Sequence, residues 1–357
     1  MAISAVDTIT LAMQHTKRQL FQPFRFWQWT RLAIVGLLAG ELGSGGNLNP
    51  SSFSSTRQPP PHSFGDVFPH IDPAILIPVI TILVVSGFVF LIAMTYISSV
   101  MRFVLFDSVL TRQCRIRAGW FHRQEQGWNY FLWQIGFGFF AFAGIVLLLG
   151  LPAAFAFGMG WFNPPRAHIP QLAVAGVFVL VLLVVYAIAI AIVHVLTKDF
   201  VVPQMALENI GAVEGWRRLW PLLQAEQKDY IVYILMKIVL SIAAAILIGV
   251  VTLILGLIIA IPVIGVVVAA VIAAKTAGFT WNALTITAAV VAGCVLFLLF
   301  FYLVSLISVP ALVFFPAYSI YFFAGRYRAL NLALYPSAAT NSPPGFLPSG
   351  HAPQPAG

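Results

Sequence analysis

Five runs of the chain are apolar over a helical span or more: Ala74–Ser98, Phe131–Phe157, Leu172–Leu196, Ile231–Ala260 and Ala283–Val309. A helix needs about 20 such residues to cross a bilayer, so each run predicts a transmembrane helix. A sixth run, from Trp27 to Leu42, is shorter and carries Arg31 near its start. It can cross if Arg31 snorkels and the tryptophans lie at the headgroups. The stretch Pro262–Ala274 is too short for another crossing, and a proline inside a helical pattern breaks or kinks it. Residues 262–282 therefore read as an outer re-entrant or interfacial segment. The expected fold class is an all-α polytopic membrane protein, with six transmembrane helices as three hairpins and amphipathic helices on the cytoplasmic side. That domain would fill residues 1–335. Gly, Ser and Pro dominate residues 43–73, read as an outer loop, and residues 336–357, read as a disordered cytoplasmic tail.

Composition agrees with this reading. Hydrophobic residues make up 60% of the 357-residue chain and charged residues only 8%, against about 25% charged in soluble domains. The net charge of +8 would suit a nucleic acid if it formed one patch, but it is divided among short segments between apolar runs, so no nucleic-acid partner is expected. Lys17 to Arg31, Arg102 to Arg123, Lys198 to Lys228, and Arg326 with Arg328 share one face in a six-span chain. Only Arg57, Arg166 and Lys275 fall on the other. Basic residues concentrate in cytoplasmic loops, which predicts a multi-pass protein of a bacterial inner membrane with both termini cytoplasmic. A signal peptide over Leu32–Ala39 is disfavoured by the long segment before it. Cys114 and Cys294 lie far apart in dissimilar surroundings, and are read as inert thiols.

The stretch ENIGAVEGWRRLW, residues 208–220, concentrates charge and tryptophan in an otherwise oily chain. On a helix, Val213, Trp216, Trp220 and Leu223 form an apolar stripe, opposed by Glu214, Arg217, Arg218 and Gln224. Glu214 and Arg218 stand in the favourable i,i+4 order. Tryptophan at the headgroups and arginine against anionic lipid predict a helix lying on the inner membrane surface. At one constant offset Arg102 falls on Lys198, and Gly119-Trp120 on Gly215-Trp216. A third version precedes the first run. Three parallel units of surface helix and hairpin follow from this, with Trp120, Trp216, Arg217, Arg218 and Trp220 as candidate membrane-surface contacts.

FVVPQMALENIGAVEGWRRLWPLLQAEQKDYIVYIL, residues 200–235, resembles the membrane domain attached to some bacterial glycerophosphoryl diester phosphodiesterases and its stand-alone relatives. Pro203, Glu208, Gly211, Gly215, Arg218 and Trp220 stand for that pattern's features, although Leu219 replaces its small residue. The segment from Pro310, PALVFFPAYSIYFFAGRY, resembles the closing amphipathic helix of such proteins. The resemblance implies a membrane accessory domain and no phosphodiesterase activity, because the catalytic barrel of about 250 residues has no counterpart here. His122-Arg123-Gln124 matches the start of that catalytic domain by coincidence.

No metalloprotease, hydrolase-elbow, phosphate-loop or paired-cysteine motif occurs. No catalytic residue, metal ligand or cofactor is expected. Glu41, Asp107 and Asp199 are read as solvated residues at span ends. Lys237 and His194 are the candidate intramembrane polar residues. Lys237 is expected to snorkel and His194 to cap its helix, although an ionisable group within a span is a functional hypothesis by default. Gly136, Gly138, Gly144, Gly249 and Gly256 are candidates for close helix packing. The expected function is a non-enzymatic accessory module that binds anionic inner-leaflet lipid or a membrane protein partner. The alternative is a transporter or channel for a hydrophobic or lipid-like substrate.

Overall fold

The computed structural model describes residues 4–41, 73–161, 168–276 and 283–335. Its elements are helices, apart from an isolated bridge between Phe21 and Phe24. In chain order they are α1 (Asp7–Phe21), α2 (Phe26–Leu38), α3 (Pro73–Thr111), α4 (Ile116–His122), α5 (Gln124–Gly158), α6 (Ile169–Leu196), α7 (Val202–Glu208), α8 (Ala212–Ala225), α9 (Gln227–Thr276), α10 (Ala283–Ala324) and α11 (Arg328–Leu334). A π-helical turn, Thr197–Val201, joins α6 to α7. The tail 336–357, the expected outer loop apart from Pro73, and residues 277–282 of the expected re-entrant segment lie outside the described residues.

Five helices, α3, α5, α6 with its continuation, α9 and α10, are long and apolar enough to cross a membrane. The sixth run is not among them. It forms α2, 13 residues or about 20 Å at 1.5 Å per residue, short of the roughly 30 Å of hydrocarbon. Gly40 ends it. With φ +76°, Gly40 supports a paired closure in which Glu41 N–H bonds Gly36 O at 2.9 Å and Gly40 N–H bonds Leu37 O at 3.1 Å. This is the glycine-terminated helix end expected where the chain turns into the left-handed region.

Pro262 does not break the chain into a hairpin. α9 runs without interruption through it for 50 residues. A proline removes one backbone bond, but with no water to take the freed carbonyl the helix remains the best arrangement for its neighbours. α10 likewise continues through Pro310 and Pro316, so the segment from Pro310 is the end of a long helix rather than a separate one.

Each long helix has two regimes. Large apolar side chains are exposed from Ile77 to Met94 on α3, Leu132 to Phe157 on α5, Ile169 to Ile192 on α6, Leu235 to Val268 on α9 and Ile286 to Leu299 on α10. An apolar surface of that extent belongs against lipid. At the opposite ends the same helices pack into a core around Phe103, Tyr130, Phe200, Tyr233, Tyr318 and Phe322. There α2 packs on α3 and α10, α3 on α5, α5 on α6, and α9 on α10. The ring closes between the π turn and α9 through Asp199, which accepts from Tyr233. α1 lies along α10, held where the buried His15 imidazole meets Tyr321 Oη and Val109 O, each at 3.0 Å.

Candidate functional site

The ring encloses charges that the sequence analysis placed in water. Glu41 is only 5% exposed and Asp199 3%. The Glu41 carboxylate accepts from the Lys198 ammonium, with Arg102 Nε 4.0 Å away. The Asp199 carboxylate accepts from the Lys237 ammonium and from Tyr233 Oη, the latter at 2.9 Å. Arg102 donates through Nη1 to Tyr130 Oη and through Nη2 to Ala39 O. The second bond sets a cation on the last carbonyls of α2, where the helix dipole favours it. Lys237 therefore does not snorkel; its ammonium sits on Asp199 across the α6–α9 seam, because a buried carboxylate offers a stronger partner than a distant headgroup. Glu41 and Lys198 were expected on opposite aqueous faces. The stop at Gly40 brings them together instead.

Local chemistry explains the π turn that carries Lys198 and Asp199. Pro203 has no N–H to return to the Asp199 carbonyl, and its ring crowds that carbonyl in a regular helix. The chain widens by one residue instead, and Val202 N–H bonds Thr197 O. The widening turns Lys198 toward α2 and Asp199 toward α9, two directions that sequence spacing alone did not predict. Such widened turns recur at functional sites.

The helix that opened the sequence question, α8, packs on this π turn. Its inward face is Ala212, Gly215 and Leu219, rotated by about one position, roughly 100°, from the expected stripe. Val213 and Trp220 instead point away, Trp220 being 57% exposed. Gly215 decides the rotation: a Cβ there would lie 2.7 Å from Val201 Cγ1, so the helix approaches the π turn through glycine. Trp216 is half-buried and donates its indole N–H to Thr197 Oγ1 at 3.1 Å. Glu214 and Arg218 do pair, at 3.1 Å, and Arg218 also meets Glu208. The Arg217 side chain is 82% exposed. Trp120 is half-buried, its ring edge-on to Tyr96 with 6.1 Å between centroids. Of the five candidate surface contacts, Arg217, Arg218 and Trp220 face outward, whereas Trp120 and Trp216 are packing residues.

Other expectations resolve locally. Asp107 is clamped by Arg123 through bonds of 2.7 and 2.8 Å, and Arg123 also donates to Ala206 O. Arg123 thus ties α3 to α7. Cys114 and Cys294 are unpaired, and burial pushes the Cys114 thiol up. Of the candidate packing glycines, Gly144 makes a tight approach, to Tyr186; Gly256 makes an ordinary one; and Gly136, Gly138 and Gly249 make none.

Two neighbouring cavities lie beside the charged ring. An apolar groove of about 800 Å³ runs between α5, α6 and α8, lined by Leu132, Trp133, Phe137, Phe140, Val213 and Trp216 among others. Leu132, Phe140 and Val213 are exposed, so the groove opens among the lipid-facing side chains. A chamber of about 240 Å³ shares Trp133 and Phe137 with it, and adds Thr95, Tyr130, Gln134, His194 and Thr197. His194 faces this chamber from α6, near the helix end as expected, with its side chain exposed. No set of three or more His, Cys, Asp or Glu among the described residues is arranged to hold a metal.

Fold and site together define a polytopic, all-helical membrane protein whose long helices close on buried ion pairs at one end. The chain belongs to a family of unknown function, DUF7544, whose sequence profile matches residues 3–333. No curated protein and no solved structure matches it.

Proposed function

We propose that this protein is a non-enzymatic lipid-binding module of a bacterial inner membrane, with its basic, packed end on the cytoplasmic side. The observation that carries the reading is the groove of about 800 Å³ between α5, α6 and α8. Its volume falls in the range of small-molecule sites, about 300–1,000 Å³. Its lining is aromatic and aliphatic, and its mouth lies in the lipid-facing surface, where an acyl chain enters without crossing water. Orientation rests on charge: Arg112, Arg115, Arg117, Arg217, Arg218 and Arg328 all belong to the packed end, and basic residues favour the cytoplasmic, anionic leaflet by about 1 kcal/mol each. An accessory role beside a membrane protein partner is what the resemblance of residues 200–235 implies.

Gly136 lines the groove, and a Cβ there meets nothing within 4 Å. Gly136→Trp fills the groove without a backbone clash. Native mass spectrometry of the purified protein should show lipid retained by the wild type and lost from the variant; equal retention rejects the reading. The buried pairs beside the π turn favour a second reading, a transporter of the same substrate. Lipid movement between leaflets of reconstituted vesicles separates the two.

A further inference from the structure

We propose that the lipid in the groove carries a compact anionic head, a phosphate or carboxylate, seated in the chamber of Tyr130, Gln134 and His194. This rests on the lipid-binding reading and names the ligand class of the same site.

The chamber lies against the apolar groove, shares the Trp133 and Phe137 rings with it, and adds polar side chains. An amphiphile matches that division: chain among the rings, head among the polar side chains. The chamber offers donors. Tyr130 is 1% exposed and accepts from Arg102 Nη1, which leaves its own O–H proton without an acceptor among the described residues. Gln134 Oε1 meets Ser99 Oγ at 2.6 Å, and the amide nitrogen makes no bond there. A neutral His194 brings one N–H and a charged one brings two. The Thr197 hydroxyl is already used, donating to Val193 O and accepting from Trp216. No carboxylate lines the chamber.

Charge behind the chamber points the same way. The Arg102 guanidinium stands directly behind Tyr130. Its charge reaches the chamber through the Arg102–Tyr130 bond, since a phenol that accepts from a guanidinium becomes a better donor to an anion. Arg102 Nε has no hydrogen-bond partner despite its burial. The chamber's volume of about 240 Å³ admits a phosphate or carboxylate.

The test is native mass spectrometry of the full chain in detergent, titrated separately with phosphatidic acid, a fatty acid, phosphatidylcholine and diacylglycerol. The expected result is at least tenfold preference for one of the two anionic probes over diacylglycerol; which of them wins identifies phosphate or carboxylate. Gln134→Leu should weaken the preferred anionic probe roughly tenfold, the loss of one hydrogen bond to a charged group, and leave diacylglycerol unchanged. Tyr130→Phe should act in the same direction. Equal binding of all four, or equal loss of charged and neutral lipids in Gln134→Leu, overturns the proposal while lipid binding stands. Binding of none, or binding indifferent to Gly136→Trp, overturns the lipid-binding reading and this inference with it.

Discussion

The carboxylate of Glu41, just past the end of α2, accepts a hydrogen bond from the ammonium of Lys198 in the π turn after α6. Separated by 157 positions, the two fix the depth at which a short N-terminal helix stops inside a ring of long ones. Removing either partner breaks a buried ion pair, which costs up to roughly 3–5 kcal/mol. Lys198→Met and Glu41→Gln should each lower the thermal midpoint of the detergent-purified protein. The double variant should lose less than the sum of the two single losses, because the two side chains are coupled, while Arg102 still lacks the Glu41 carboxylate. Additive losses would show that the pair is not energetically coupled.

Gly215 and Gly249 make a contrasting pair. Gly215→Leu drives a side chain into Val201, 2.7 Å from where even a Cβ would sit, whereas Gly249 has open space. We expect Gly215→Leu to destabilise by about 1–3 kcal/mol, as overpacking does, and to release α8 to proteolysis. Gly249→Ala should be neutral or stabilise by up to about 1 kcal/mol through helix propensity. Differential scanning fluorimetry with limited proteolysis measures both.

Acid should loosen α1. His15 is buried against Tyr321, Gln19 and Val109, and burial followed by the Arg112 charge, with a smaller part from Arg18, holds its imidazole below the ordinary value of 6.5. The fold therefore prefers the neutral ring. Its contribution is complete above about pH 6.5 and is lost as pH falls through that value toward the lower folded one. His15→Gln should flatten the stability profile below about pH 6.5. An unchanged slope would remove His15 as its source.

Orientation can be read directly. In a Cys114→Ser, Cys294→Ser background, Arg217→Cys on the outward face of α8 should react with a membrane-impermeant maleimide only after the cells are opened. Labelling in intact spheroplasts would place the packed end outside and reverse the proposed topology.

Much of the fold was legible in apolar run length. Ala74–Ser98 and Leu172–Leu196 became parts of α3 and α6 because a long uncharged segment has no other way to bond its backbone in lipid. Local charge spacing was legible too: Glu214 and Arg218 pair as their separation requires. The helix stop at Gly40 was present in the sequence as glycine after an apolar turn, and Pro203 marked the place where α6 widens. Their consequences were not legible. The face that α8 buries depends on Val201 across the interface, and the expected stripe counted side-chain hydrophobicity where backbone approach decided the rotation. Tyr130 stands just before the run Phe131–Phe157, and its pairing with Arg102 carries no local signal.

The sequence by itself determined the class of molecule, its helical content and the five helices able to cross a membrane. Each depends on hydrophobicity and hydrogen bonding within one segment. Only the tertiary structure decided that Glu41 meets Lys198, that Lys237 meets Asp199, and that a groove and a donor-lined chamber open beside them. Those outcomes depend on which segments become neighbours, and a charge finds its partner across space at distances that chain spacing does not encode.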